Sequence, residues 1–394
     1  MYSYRELDDP RQVLPIARSA FALRYSEQSS AEEWLDSAIE HGRKLYGVYD
    51  RNILLSAFML YNYDMRFRDS VVAMGGIGLL CSRLDARGKG TVRMMLANAL
   101  KTMKERGHIV SVLDPFDESF YRKYGWEKFS RRQTIELSPG TLCVADSSDP
   151  GIVYADLPIP DQESMAFYND YASKHGTLAQ RNPQQWARLM EVRAWSPDVA
   201  ARGVVRFSKN ANVLGLMEYA LSRRADEYDS TFVVNLLAPG NTDALHEMLR
   251  YLKRLSHQIS TIRLNLPLDI ELWPYFSDRP KKYSLHDEFM IRIVNIATLD
   301  GLAVEMSDRC LTVDVTDSQA AWNEGRWQLQ VDSGILRVRR GERADLRCGI
   351  GALSSVLSGF STFEDMISAE LAEPLETYDG QDFPKTTPFL ADHF

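Results

Sequence analysis

The sequence is poor in the features that mark several large classes of protein. Its 394 residues contain only four cysteines, Cys81, Cys143, Cys310 and Cys348. They are widely separated and form no Cys-x-x-Cys pair, which argues against a zinc framework and against a disulfide-stapled secreted fold. The seven histidines show no His-x-x-x-His spacing of a metal site. No apolar run approaches the roughly 18 residues that a membrane-spanning helix needs. The first residues, Met-Tyr-Ser-Tyr-Arg-Glu-Leu-Asp-Asp-Pro, carry no hydrophobic signal segment. Positive charge is in deficit, with 46 Lys and Arg against 54 Asp and Glu, a net charge of -8. That balance ill suits sequence-independent binding of nucleic acid, which needs basic patches, and suits cationic partners such as amines. The expectation is a cytoplasmic protein that holds no metal and binds neither nucleic acid nor membrane.

Three familiar catalytic loops are missing as well. There is no Gly-x-x-x-x-Gly-Lys-Ser/Thr for a nucleoside triphosphate, no Gly-x-Gly-x-x-Gly after a strand for a dinucleotide, and no Gly-x-Ser-x-Gly for a hydrolase elbow. What is present is a stretch from Val71 to Trp126 around which the chain is organised. An apolar run, residues 71–80, turns through Arg83-Leu84-Asp85 into Ala86-Arg87-Gly88-Lys89-Gly90-Thr91. Val92, Met95, Leu96, Ala99, Leu100 and Met103 then recur at helical spacing, and Ile109 to Leu113 reads as a second strand. The glycines allow an anion to approach the backbone closely. The first amides of the helix lack intrahelical acceptors, and its dipole favours negative charge there. With Arg83, Arg87, Lys89 and Arg93 nearby, the turn reads as a pyrophosphate cradle.

The order strand, Arg87-Gly88-Lys89-Gly90, helix, strand, followed by Phe120-Tyr121-Arg122-Lys123-Tyr124-Gly125-Trp126, resembles the GNAT acyltransferases and, more narrowly, the Eis (enhanced intracellular survival) family. Val92 departs from the pattern, being bulkier than the expected Gly or Ala. The resemblance implies acetyl-CoA as co-substrate and a primary amine, on a small molecule or a peptide lysine, as acceptor. It implies a thioester bound by the backbone of Leu80, Cys81 and Ser82, with coenzyme contacts from Arg87, Gly88, Lys89, Gly90, Thr91, Val92 and Arg93 and from Phe116 and Asp117. Tyr121 matches the family's proton donor. Glu27 and Trp34 lie where that family lines its acceptor pocket. The resemblance further implies that the terminal residue, here Phe394, returns to the active site as a carboxylate, and that the protein is a homo-oligomer, a hexamer.

The length favours two or three domains. The first, residues 1–140, reads as the catalytic GNAT domain, with Trp126 to Leu137 in its closing strands. In it Asp9-Pro10 starts a helix, Ser30 caps a second, and a hairpin forms around Asp50-Arg51-Asn52. A polar, turn-rich linker follows. Residues 152–293 repeat the strand, turn, helix, strand order, but with Pro239-Gly240-Asn241-Thr242-Asp243 at the turn, where Asp243 would repel a phosphate. The resemblance makes this a second GNAT-like domain without a coenzyme site. Residues 294–394 alternate toward strand and then turn helical, and by resemblance form a sterol-carrier-like α+β domain whose tail reaches the active site. The fold class expected is therefore α/β: two GNAT-like domains in tandem, then the sterol-carrier-like one. The alternative is a non-catalytic protein that binds a lipid or acyl ligand through the C-terminal domain.

Overall fold

The computed structural model describes residues 2–23, 28–40, 43–145, 151–191, 199–223 and 230–392. They form two compact units. The first comprises residues 1–130, 176–178 and 288–394, and the second residues 131–175 and 179–287.

The first unit opens with β1 (Tyr2–Glu6), a short helix α1 (Leu14–Ala20) and α2 (Gln28–Glu40). Asp9 caps a 3-10 turn by accepting from the Arg11 N–H, as its place before Pro10 predicts. Ser30, expected as a cap, lies inside α2, whose start is set two residues earlier. Strands β2 (Lys44–Asp50), β3 (Ile53–Phe67) and β4 (Ser70–Ser82) form a meander. Its first turn carries Arg51 at φ 53°. Then come α3 (Thr91–Glu105), β5 (Val110–Leu113), α4 (Glu118–Arg122) and β6 (Glu127–Lys128). Met95, Leu96, Ala99, Leu100 and Met103 of α3 are fully buried against the sheet, as their spacing predicts.

The second unit is built on a seven-stranded sheet in the order β14-β7-β13-β12-β11-β10-β8. Its strands are β7 (Arg131–Leu137), β8 (Ile152–Leu157), β10 (Val199–Lys209), β11 (Asn212–Arg223), β12 (Ser230–Pro239), β13 (Thr261–Leu266) and β14 (Lys282–Asp287). The unit also contains the two-residue β9 (Ala179–Gln180) and helices α5 (Gln162–Ala172), α6 (Pro183–Met190) and α7 (Thr242–Arg254).

Two strands lie where their local pattern did not put them. Arg131–Leu137 was expected to close the first sheet; instead it pairs with β13 and β14 in the second. The first sheet is closed by β15 (Met290–Ile293), from beyond the second unit, which pairs antiparallel with β5 and β6. The order there is β1-β2-β3-β4-β5-β15-β6. A strand's apolar pattern specifies that it is buried, not which neighbour takes its hydrogen bonds. The expected boundary at residue 140 therefore falls at 130.

The C-terminal part adds a five-stranded sheet in the order β18-β17-β16-β19-β20, formed by β16 (Arg309–Thr316), β17 (Gly325–Asp332), β18 (Ile335–Arg340), β19 (Leu346–Gly349) and β20 (Ala372–Pro374). Helices α8 (Ile350–Ser358) and α9 (Phe363–Ser368) complete it. Helix α8 is buried along nearly its whole length, packing on β15 and β6 on one side and on β16 and β19 on the other. Its serines take up backbone groups that short β6 leaves open. The Ile293 N–H donates to Ser354 Oγ at 2.8 Å, and Ser355 Oγ donates to the Lys128 carbonyl at 2.8 Å. No described helix is long and apolar enough to cross a membrane.

The tail is held by Arg68, in the left-handed turn between β3 and β4 (φ 54°). Its guanidinium donates to the carbonyls of Leu357, Val356 and Pro384 at 2.7, 2.6 and 2.8 Å, and lies over the Phe383 ring. Phe389 and Leu390 are buried farther on, and the Phe389 carbonyl accepts from Thr177. Stranding buried carbonyls costs roughly 1–3 kcal/mol each. Arg68→Ala is therefore expected to destabilise the protein by about 3 kcal/mol and to release the tail. Thermal melting and limited proteolysis at the C-terminus check both.

Candidate active site

The site begins where two strands part. Strands β4 and β5 run parallel, and their pairing goes from Met74–Val110 to Ile77–Leu113 and stops. Strand β4 continues to Ser82, paired on its other side only with β3. A bulge interrupts that pairing between Ala57 and Met59, and Leu79 takes a left-handed conformation there, φ 51°. A bulge bends its strand and breaks the ladder, so β4 diverges from β5 and its edge from Gly78 onward has no partner in β5.

A cavity of about 750 Å³ occupies this region. Leu80, Cys81 and Ser82 form one wall. The glycine turn forms another, with Arg87, Gly88, Gly90, Thr91, Val92 and Arg93 all on the lining. Gly88 and Gly90 both have positive φ, 74° and 75°, and a side chain at either would meet nothing within 4 Å. Their bareness is thus required by the backbone and leaves the approach to α3 open. Helix α3 starts at N-cap Gly90 with no side-chain cap, leaving its first amides for a ligand. The Ser82 hydroxyl is a buried polar atom with no partner among the described residues. These features fit a phosphorylated, amide-containing ligand such as the coenzyme arm: an uncapped helix start, an unpaired strand edge and an orphaned hydroxyl.

The second unit shows the contrast. Strands β12 and β13 are also parallel, from Thr231–Thr261 to Val234–Leu264. Helix α7, however, is capped by Asn241, whose side chain accepts from the Ala244 N–H at 2.9 Å, and Asp243 stands in its first turn. The corresponding anion position is taken by the chain's own oxygens.

The remaining wall is aromatic. Phe116, Phe120 and Tyr124 line the cavity, as do Ala20 and Phe21 from the end of α1. Phe116 is 71% exposed and Phe21 48%. Phe21 reaches this mouth through the packing of α1. Tyr121 lies one layer deeper, edge-on to Phe116 and Phe120 with ring centroids 5.3 and 5.2 Å away. Burial, reinforced by the charge of Asp114, pushes its phenol above the ordinary value of 10. Burial likewise pushes the Cys81 thiol up to about 12.

Other expected site residues lie elsewhere. Asp117 is the N-cap of α4, accepting from the Phe120 N–H at 3.2 Å, and its side chain serves the helix rather than the cavity. Lys89 is exposed beside the turn and off the lining. Trp34 is half-buried on α2, also off the lining. Glu27 and Phe394 lie outside the described residues.

Helix α4, which carries Tyr121, ends in a tight reversal. The Trp126 N–H donates to the Tyr121 carbonyl and the Gly125 N–H to that of Arg122. This is the paired closure that a left-handed glycine makes possible, and Gly125 has φ 87°. A side chain there would stand 1.7 Å from Arg292 Nη1 and 2.6 Å from Ile350 Cγ2.

Three regions of the chain match known domain families. Residues 2–129 match an acetyltransferase (GNAT) domain, residues 177–293 a second acetyltransferase (GNAT) domain, and residues 297–387 a sterol carrier protein domain. The tandem arrangement expected from the sequence is thus present. An uncharacterized N-acetyltransferase of Streptomyces coelicolor is 21% identical over 327 residues, 79% of each chain. Two solved structures share the fold over the full length of both chains. They are a GCN5-related N-acetyltransferase from Anabaena variabilis (17% identity, TM-score 0.86) and Eis1 from Mycobacterium abscessus (18% identity, TM-score 0.78).

Gly125→Ala is expected to cost about 3 kcal/mol or more, combining roughly 1–2 for a left-handed alanine with about 1–3 for overpacking. Denaturant melts of the parent and the variant measure it.

Proposed function

The chain is an acetyltransferase of the GNAT family, and from that premise we propose that its first domain moves the acetyl group of acetyl-CoA to a primary amine by direct attack in a ternary complex. The observation that carries this reading is the parting of β4 from β5 over a cavity rimmed by the bare glycine turn. The turn and the start of α3 would hold the pyrophosphate. The open edge of β4 at Leu80, Cys81 and Ser82 would hold the pantetheine amides and the thioester.

In the transfer, the amine nitrogen attacks the thioester carbonyl carbon and charge gathers on its oxygen, where backbone N–H groups of the β4 edge can stabilise it. The carbon–sulfur bond then breaks and the thiolate takes a proton. Tyr121 is the donor we assign. Its raised pKa keeps it protonated at neutral pH; it gives its proton to the sulfur as the carbon–sulfur bond breaks, an uphill step against a thiol pKa near 8.5, and the phenolate regains a proton from solvent. The attacking nitrogen must release a proton in turn. The acceptor we assign, on the family resemblance alone, is the carboxylate of Phe394. Among the described residues Cys81 is the thiol on the cavity wall, and burial pushes it up to about 12, which makes it a poor nucleophile for a covalent acetyl-cysteine step. Only the first domain would bind coenzyme, since the second caps its own helix. The reading of the C-terminal domain as a lipid carrier gains nothing from α8, whose apolar faces are filled by protein on both sides.

Gly90→Glu is expected to abolish acetyl-CoA binding by calorimetry while leaving the circular dichroism spectrum intact; binding at the parent's affinity would remove the cradle. Tyr121→Phe should lower kcat by about a hundredfold, the scale of general-acid assistance. Because the Tyr121 pKa is raised, the parent's rate should not fall on the alkaline side below pH 10. A descending limb near neutrality that persists in Tyr121→Phe would assign the acid elsewhere.

A further inference from the structure

Arg292 is fully buried on β15, yet it belongs to no part of the cavity described above. Its Nη2 donates to both carboxylate oxygens of Asp317, each at 2.6 Å, and its Nη1 donates to the Tyr124 carbonyl at 2.5 Å. Its guanidinium lies 5.3 Å from the centre of the Trp126 ring. Asp317 is 3% exposed and held in turn: it accepts from the Ala320 and Gln319 N–H groups, both at 3.1 Å, and from Asn323 Nδ2 at 3.0 Å. Asn323 ties this cluster back to the strand end, accepting from the Ile296 N–H and donating to the Val294 carbonyl.

A buried ion pair adds little stability over apolar packing, because both charges lose their water. What it supplies is direction. The carbonyl of Tyr124 follows the end of α4, where helical N–H donors have run out, and Arg292 donates to it. Gly125 sits against the same guanidinium and against Ile350 at the start of α8. The aromatic segment that carries Tyr121 and walls the cavity with Phe120 and Tyr124 is thus clamped at its C-terminal end by groups from beyond the second unit.

We propose that Arg292 and Asp317 are positioning residues for acetyl transfer: the pair fixes the Tyr124–Gly125 backbone and thereby the reach of Tyr121 toward the thioester. This rests on the function proposed above. An arginine is required because one rigid guanidinium must address a carboxylate with one nitrogen and a carbonyl with another; a lysine presents a single ammonium.

The test is steady-state kinetics of Arg292→Lys, Tyr121→Phe and the double variant, with acetyl-CoA and a primary amine that the parent acetylates, monitored by thiol release. Arg292→Lys should fall at least tenfold in kcat while KM for acetyl-CoA stays within twofold, since the glycine turn is untouched. The double variant should be no slower than Tyr121→Phe alone, because both changes remove one function. A purely structural role predicts a lower melting temperature with kcat per folded molecule unchanged, or losses that multiply in the double variant; either overturns the inference. Asp317→Asn, which keeps the shape and the acceptor for Ala320, is the second route and should show the same split. If neither variant folds, the pair is a stability element and the inference falls. A parent that binds acetyl-CoA but acetylates no amine overturns the function itself, whereas a parent with normal turnover and an equally fast Arg292→Lys overturns only the positioning role.

Discussion

The antiparallel pairing of Met290–Ile293 with Val110–Leu113 is the contact on which the rest of the first unit depends. Strand β5 is only four residues long and fully buried. On one side it is joined to β4, which is about to leave it; without β15 its other edge would have buried, unpaired backbone groups, which folded proteins do not tolerate. The strand that satisfies them arrives only after the chain has built an entire second unit. Once there, it sets Arg292 beneath the end of α4 and offers its surface to α8. The first domain cannot be read as a module that is finished at residue 130.

The same arrangement gives the C-terminal domain its place. Helix α8 is the layer shared by two sheets, and its hydroxyls complete hydrogen bonding that β6 is too short to supply. An all-round apolar helix is stable only when covered on every side, and here protein supplies the cover. The three contacts of Arg68 with the end of α8 and with Pro384 hold the tail from the opposite end of the β3–β4 hairpin. Packing of this kind makes the domain a buttress for the sheet that bears the cavity.

Cavity and helix start work together through one physical device, the deliberate loss of pairing. Where β4 passes Ile77 it gives up its neighbour, and where α3 begins at Gly90 it has no side chain to close its amides. Each leaves polar groups that a ligand can satisfy. In the second unit Asn241 closes the matching helix with its own side chain, and the polar debt is settled within the protein.

Much of this was legible in the residues. The 3.6-residue spacing of Met95 to Met103 determined the buried face of α3, and Gly88 and Gly90 determined a turn that only positive φ can make. Asp9-Pro10 and the hairpin at Arg51 are local chemistry, decided within four or five residues. Arg87, Gly90 and Ser82, which the family resemblance implied, lie on the cavity lining. What local pattern could not contain was partnership. The bulge at Leu79, the exchange of Arg131–Leu137 for Met290–Ile293, the arrival of Phe21 at the mouth and the Arg292–Asp317 pair join residues far apart in the chain. A strand's sequence states that it wants burial and hydrogen bonds, and an arginine's that it wants an acceptor. Which strand and which acceptor are chosen is set by the lowest free energy of the whole packed unit, and only the tertiary structure decided them.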